Sequence, residues 1–68
     1  MIVEHAGKAP TIDPSAYVAP NSVVSGDVRI GPGCRILFGA IVTAEGQPIE
    51  LGENCIVMEN AVIRSMSR

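Results

Sequence analysis

Aliphatic residues recur at every sixth position along most of this chain. The series starts at Ile12, is interrupted by three extra residues near residues 44–48, resumes at Leu51 and reaches Ile63. A helix repeats its apolar face every three to four residues and a strand every two, so a period of six fits neither element alone. It predicts a repeat architecture instead. The positions are Ile12, Val18, Val24, Ile30, Ile36, Val42, Leu51, Val57 and Ile63.

Turn-forming pairs follow the aliphatic residues by two and three positions. Proline first and Gly or Asn second is typical of a type II turn, because the second residue must accept the left-handed region. Each hexad is therefore predicted to be a short strand and a turn. Three hexads make a triangular coil, and coils stack as parallel strands about 4.8 Å apart. The pairs are Pro14-Ser15, Pro20-Asn21, Gly26-Asp27, Pro32-Gly33, Glu53-Asn54 and Glu59-Asn60.

Stacking assigns the aliphatic residues to three columns. These are Ile12, Ile30 and Leu51 in the first, Val18, Ile36 and Val57 in the second, and Val24, Val42 and Ile63 in the third. A small or short side chain follows every aliphatic residue except Val42 by four positions: Ala16, Ser22, Val28, Cys34, Ala40, Cys55, Ala61 and Ser67. The extra residues at 44–48 are polar and contain Gly and Pro, so we expect a loop outside the core.

The chain has room for one domain. We expect an amino-terminal cap segment or first edge strand at residues 1–11 and about three all-β coils at residues 12–68. A chain of 68 residues buries only about 60% of its unfolded surface, so association with another chain is expected. The last coil ends at Ser65–Arg68 without a helix, with an irregular turn at Met66, and an open strand edge invites pairing with another chain.

Composition excludes several classes of protein. The net charge of −2 and the pI near 5.1 argue against a nucleic-acid partner. No apolar run approaches the roughly 20 residues that span a bilayer, and the start lacks the features of a signal peptide. Two cysteines without a secretory signal indicate a reducing, cytoplasmic location.

Cys34 and Cys55 are separated by one coil plus the three-residue insertion, so they should stack in neighbouring coils. That separation is compatible with a disulfide. The alternative is two reduced, buried small hydrophobes like Ala16 in the same column, which a cytoplasmic location favours. The single histidine, His5, precedes the repeats and is predicted to be a partly exposed residue without a metal role.

The hexads resemble the bacterial transferase hexapeptide repeat, whose fold is the left-handed parallel β-helix. The hand follows from the resemblance, because general physics favours right-handed parallel crossovers. The stretch GAIVTAEGQPIELGENCIVMENAVIRS, residues 39–65, resembles the γ-class carbonic anhydrases. Members of that class are trimers in which three histidines at the subunit interface hold zinc or a related metal. Such a cation lowers the pKa of its bound water to about 7 and suits the hydration of carbon dioxide.

The resemblance also assigns the positions of the γ-class site. It places the first metal ligand at Arg64, an Arg-x-Asp pair at Val42 and Ala44, and a Gln-Asp pair at Met58 and Glu59. A guanidinium stays charged and has no lone pair for a cation, so Arg64 cannot replace imidazole. We predict no catalytic, cofactor-binding or metal-binding residue in this chain, and expect Arg64 to contact an acidic group of a neighbouring subunit.

Three functions remain open from the sequence. The first is a γ-carbonic-anhydrase-like module that is itself no enzyme and serves as an oligomeric scaffold, a trimer by resemblance, or is a truncated form. The second is the amino-terminal piece of a metal-dependent enzyme whose remaining histidines lie beyond residue 68. The third is a fragment of a hexapeptide acyltransferase, although no histidine occurs within the repeats.

Overall fold

The computed structural model describes residues 1–65, which form eight strands joined by turns. Met66, predicted to lie in an irregular turn, and Ser67, predicted to be a small inward residue, are outside the described residues, as is Arg68. The strands are β1 (Ile2–Val3), β2 (Thr11–Ile12), β3 (Tyr17–Val18), β4 (Val23–Ile30), β5 (Arg35–Ile36), β6 (Ile41–Leu51), β7 (Ile56–Val57) and β8 (Val62–Ser65).

Every pair of these strands is parallel, and the pairs follow the coil. One sheet has the order β1-β4-β6-β8, with β2 also paired to β4, and the other has the order β3-β5-β7. Strands far apart in sequence are therefore neighbours in space, as expected for a parallel β-solenoid of about three coils.

The pairing register confirms all three predicted columns. Ile30 pairs with Ile12 and Leu51. Ile36 pairs with Val18 and Val57. The third column pairs Val42 with Val24 and with Ile63. We call the strand surfaces that carry these columns the first, second and third faces of the coil, and we give the turn that follows each face along the chain the same number as that face, as the first, second and third corners.

The core lies between the three faces and is made of small branched side chains. Val24, Ile36 and Val42 are fully buried, and the small side chains of Cys34 and Ala40 are buried with them. The one buried polar side chain among residues 1–65 is Ser22, whose hydroxyl donates a hydrogen bond to the Ala19 carbonyl at 2.6 Å. The buried hydroxyl is thus paired, as the interior of a protein requires.

The first and second corners are tight turns, but only some match the predicted type. Gly33, Asn54 and Asn60 have positive φ as predicted, and Gly39 shares this conformation although it was not among the predicted pairs. Ser15 and Asn21 are not left-handed, so the prediction was wrong there. Their side chains instead accept hydrogen bonds from the next coil: the Gly33 N–H donates to Ser15 Oγ at 3.0 Å, and the Gly39 N–H to Asn21 Oδ1 at 2.9 Å.

The third corner is a bent strand, so the turn predicted at Gly26-Asp27 is wrong. β4 continues through this corner, with Gly26 at a φ of 86°. A Cβ on Gly26 would overlap the Ala44 carbonyl, so the close approach of the two strands requires glycine here. In the next coil Ala44 pairs with Gly26 and Ile49 with Val28, which leaves the exposed residues 45–48 as a widened part of β6.

The amino-terminal segment continues the third face beyond the first coil. Ile2 of β1 pairs with Val24, and the amino group of Met1 donates to the Ser22 carbonyl. His5 and Lys8 then close a turn through reciprocal backbone hydrogen bonds of 2.8 and 3.0 Å. The role of residues 1–11 as a cap remains a prediction.

Two further observations bear on the cysteines and on membranes. Cys34 and Cys55 are free thiols; Cys34 is buried, as the favoured alternative predicts, whereas Cys55 is partly exposed. Within residues 1–65 there is no helix with the length and apolar character needed to cross a bilayer.

Candidate functional site

Arg64 lies on the outer surface of the third face, where it pairs in register with Thr43 of β6. Its guanidinium contacts Glu45: both Nη2 and Nε lie 3.0 Å from Glu45 Oε2, and Nε donates a hydrogen bond. The side chains of Arg64 and Glu45 are 52% and 37% exposed. The acidic partner expected on a neighbouring subunit is therefore found within the chain itself.

The three-residue insertion brings Glu45 to Arg64. Ala44 pairs with Ser65 at the end of the β6–β8 ladder, so the exposed residues after Ala44 lie beside β8. Ser65 Oγ donates to the Gln47 carbonyl and holds the insertion at a second point. The Arg64–Glu45 pair was not predicted from the sequence. The signal for it is the column offset across the insertion, which already pairs Ala44 with Ser65 and so brings their neighbours Glu45 and Arg64 together.

The other candidate positions do not meet Arg64 in one site. Val42 is fully buried and Ala44 is 5% exposed, so both belong to the core. Met58 and Glu59 are exposed at the second corner, at the opposite end of the third face from the Arg64–Glu45 contact. The structure thus separates the site positions into core residues, an exposed corner and an ion pair.

The residues present do not fit a zinc ion. Among residues 1–65, no three His, Cys, Asp or Glu side chains are close enough together to hold a metal ion. Arg64 can only donate hydrogen bonds, and its donors face Glu45. A catalytic zinc site requires three protein ligands, drawn from histidine, carboxylate and cysteine side chains, around an open position.

A shallow hollow of about 120 Å³ lies next to the ion pair. The His5–Lys8 turn forms one wall, and Asp27, Glu45 and Gln47 line the rest. Its charges are of both signs, which favours neither an anion nor a cation. This hollow therefore has no evident chemistry of its own.

The carboxylate of Asp13 has a structural role at the first corner. It accepts hydrogen bonds from the Ser15 N–H at 2.9 Å and from Ser15 Oγ at 2.7 Å. These bonds, the backbone bond first, favour the charged form and lower the pKa of Asp13 below its ordinary value. This is the Asx-turn arrangement that short acidic residues form in turns, so the charged carboxylate of Asp13 stabilises the turn at the first corner.

Known proteins resemble this chain in sequence over most of its length. It is 36% identical over 56 residues to gamma carbonic anhydrase 3, mitochondrial, of Arabidopsis thaliana, which covers 82% of this chain and 22% of that protein. It is 41% identical over 58 residues to the carboxysome assembly protein CcmM of Synechocystis sp., which covers 84% of this chain and 8% of that protein. The chain therefore spans less than a quarter of either relative. No family model matches it.

The fold has a counterpart among solved structures. A hexapeptide transferase family protein from Anaplasma phagocytophilum superposes with a TM-score of 0.70 over 93% of this chain and 49% of that one. Its sequence is 20% identical, so this likeness shows the fold alone. It confirms the left-handed parallel β-helix that the resemblance predicted. The chain is a left-handed parallel β-helix whose sequence is similar to part of the gamma carbonic anhydrases.

Proposed function

We propose that this chain is a gamma-carbonic-anhydrase-like module that acts as a non-catalytic oligomeric scaffold, as a short protein or a truncated form of a longer one. The observation that carries the proposal is the ion pair between Arg64 and Glu45. Arg64 stands where the resemblance places the first metal ligand, and its donors are directed at a carboxylate of the same chain. A guanidinium in that position supplies no lone pair to a cation.

A second source of support is the name of one relative. The carboxysome assembly protein CcmM is 41% identical to this chain over 58 residues, and its name gives it a role in assembly. A scaffold requires a rigid element and a surface for association, and it needs no metal.

The third face offers such a surface. One of its outward columns consists of Val23, Ile41 and Val62, and Ile41 and Val62 are exposed. The outward column of the first face is polar by contrast, with Thr11, Arg29 and Glu50. The alignment of exposed aliphatic residues supports the proposal of a protein–protein interface on this face. We infer that copies of the chain pack through the third face, as trimers if they follow the gamma carbonic anhydrases.

The absence of catalysis is tested on the purified chain. We expect no stoichiometric zinc by elemental analysis and no hydration of carbon dioxide above the buffer rate. The variant Arg64→His is the matched control, and it should also remain inactive because one imidazole does not make a three-ligand site. Stoichiometric zinc together with turnover in the unaltered chain would overturn the proposal.

The oligomer is tested by sedimentation velocity. We expect the unaltered chain to sediment as a multimer and Ile41→Glu to shift it towards the monomer, since a carboxylate would be buried without a partner. Thr11→Glu introduces the same charge on the polar first face and should leave the multimer intact. Circular dichroism of each variant separates loss of association from loss of folding. A monomeric, folded unaltered chain contradicts the scaffold.

A piece of a metal-dependent enzyme is the second candidate function, and the 36% identity to a protein named as a carbonic anhydrase favours it. A histidine-bearing coil encoded after residue 68, with zinc and hydration activity in the longer product, would select this candidate. Acyl transfer gains no such support, because the hexapeptide transferase family protein that superposes on this chain shares the fold alone.

The two free thiols support a reducing location such as the cytoplasm, which fractionation of the expressing cells tests.

A further inference from the structure

We propose that Cys55 is an oxidation site whose product is a reversible disulfide with Cys34. Both residues occupy the small inward position of the first corner, one coil apart. The Arg35 N–H donates to the Cys55 carbonyl at 2.8 Å, and Arg35 pairs in register with Ile56. The two cysteines are therefore direct neighbours in adjacent coils.

The spacing of the coils suits a disulfide between these neighbours. Adjacent parallel strands lie about 4.8 Å apart, within the roughly 4.4–6.8 Å Cα separation that disulfides show. The Cys34 sulfur is also directed across the gap, because Sγ donates to the Gly52 carbonyl at 2.8 Å. Gly52 belongs to the coil that carries Cys55, so the sulfur already faces the coil of its partner.

Exposure decides which thiol reacts first. Cys34 is fully buried, whereas Cys55 is partly exposed. A small oxidant in solution therefore reaches Cys55 and leaves Cys34 as the protected, resolving thiol. This division between an accessible and a resolving cysteine is typical of redox-responsive pairs.

Hydrogen peroxide can supply the two-electron oxidation that converts the two thiols into a disulfide. The Cys55 sulfur takes one oxygen atom from peroxide and becomes a sulfenic acid, and one water is released. The Cys34 sulfur then attacks the Cys55 sulfur, the S–O bond breaks, and the departing hydroxide takes the Cys34 proton to form a second water. The two thiols lose two electrons in total, and one peroxide is reduced to two waters.

Exposure also makes the bond reducible. Cys55 is partly exposed, so a reductant in solution reaches the bond from the Cys55 side. Exposed disulfides are more readily reduced than buried ones. We therefore expect mild thiol reductants to restore both cysteines.

Trypsin provides a direct test, because Arg35 lies between the two cysteines. Cleavage after Arg29, Arg35 and Arg64 places Cys34 in peptide 30–35 and Cys55 in peptide 36–64. The folded chain is treated with hydrogen peroxide, its remaining thiols are alkylated, and the digest is examined by mass spectrometry without reductant. We expect the two peptides to appear as one cross-linked species that dithiothreitol separates.

Two variants assign the roles. Cys34→Ala should accumulate a Cys55 sulfenic acid that dimedone traps, or dimers of two chains, because the resolving thiol is missing. Cys55→Ala should leave Cys34 unmodified at the same peroxide concentration. Alanine is suited to both positions, since Ala16 fills the equivalent place in the first coil. Recovery of both cysteines as alkylated thiols from the oxidised chain, or disulfides only between two copies, would overturn the proposal. Neither result depends on the scaffold function.

Discussion

At the scale of single residues, the contact between Arg64 and Glu45 fastens the insertion to the third face from outside. Both side chains remain partly in water, and pairs of this kind contribute about 0–1 kcal/mol. We expect a double-mutant cycle with Arg64→Ala and Glu45→Ala in the Ile41→Glu background, in which the proposed third-face contact is disrupted, to give a coupling below about 1 kcal/mol in urea unfolding. The coupling should shrink further in high salt. A coupling of several kcal/mol in that background would contradict a solvent-exposed pair.

Gly33 offers a sharper residue-scale prediction. Its φ is 72°, and an added Cβ would overlap Asn54 Oδ1 of the next coil. We expect Gly33→Ala to lower the free energy of unfolding by about 1–3 kcal/mol, because a residue with a Cβ is strained at this positive φ and the Asn54 side chain must move aside. Gly52→Ala is the matched control, since a Cβ there meets nothing within 4 Å. Equal effects of the two substitutions in urea unfolding would refute this account of the corner.

The hydrogen bonds of Ser15 predict a pH dependence at Asp13. They lower the pKa of Asp13 in the folded chain relative to the unfolded one. The stabilisation is therefore complete above the ordinary carboxyl pKa and is lost as the pH falls through the lowered value. Ser15→Ala removes the side-chain bond and should raise the pKa of Asp13 in an NMR titration, although the backbone bond from residue 15 remains. An unchanged pKa would show that the hydroxyl has no part in the shift.

Sequence reasoning reached some of these residues and not others. It found Asn54 and Asn60 as left-handed corners because asparagine tolerates that region well. It did not find that Ser15 and Asn21 avoid the same region, because a short polar side chain permits either conformation. The choice depends on the N–H of the coil above, which only the assembled coil shows.

At the scale of elements, two-residue strands such as β5 are held by one inward residue each. Ile36 of β5 is fully buried, while Ile56 of the adjacent strand β7 points outward and is 56% exposed. We expect Ile36→Val to lower the free energy of unfolding by about 0.5–1.5 kcal/mol. The same change at Ile56 should stay within about 0.5 kcal/mol. Chemical denaturation of both variants measures the difference, and similar losses would contradict the assignment of inward and outward positions.

The strands could be predicted wherever the pattern of apolar side chains alone determines which residues face the core. The six-residue period fixes which residues face inward, and every column was confirmed on that basis. The third corner was not predictable, because Gly26-Asp27 suits a tight turn as well as a bent strand. The packing of Gly26 against Ala44 selects the bent strand, and that contact exists only after the coils have stacked.

At the scale of the whole molecule, the association proposed through the third face would make folding and association interdependent. Anything that binds only the folded form raises its stability by mass action, and in the proposed oligomer the ligand is another copy of the chain. We therefore expect the melting temperature to rise with protein concentration in scanning calorimetry. Ile41→Glu should reduce this dependence, and Thr11→Glu should not. A melting temperature independent of concentration over two orders of magnitude would argue for a self-sufficient monomer.

The handedness of the coil could not be derived from the repeat, whereas part of the chemistry at Arg64 could be derived from the residue type. The left hand came from a family resemblance, since no step from period to geometry contains it. That Arg64 cannot bind zinc follows from the chemistry of a guanidinium, but its contact with Glu45 depends on the register of the insertion. The coil could thus be predicted from the repeat, whereas the local contacts depend on how the repeat is interrupted.

The interruption at residues 45–48 has a practical consequence for protein engineering. It lengthens one coil, yet Ile30 still meets Leu51 and Val42 still meets Ile63 on either side of it. The third corner therefore tolerates inserted residues without a change in which residues face the core. One extra residue within a face would instead shift the register and move the following inward side chains to the solvent side. A foreign peptide epitope grafted between Gly46 and Gln47 would be displayed on the outside of an otherwise unchanged rod.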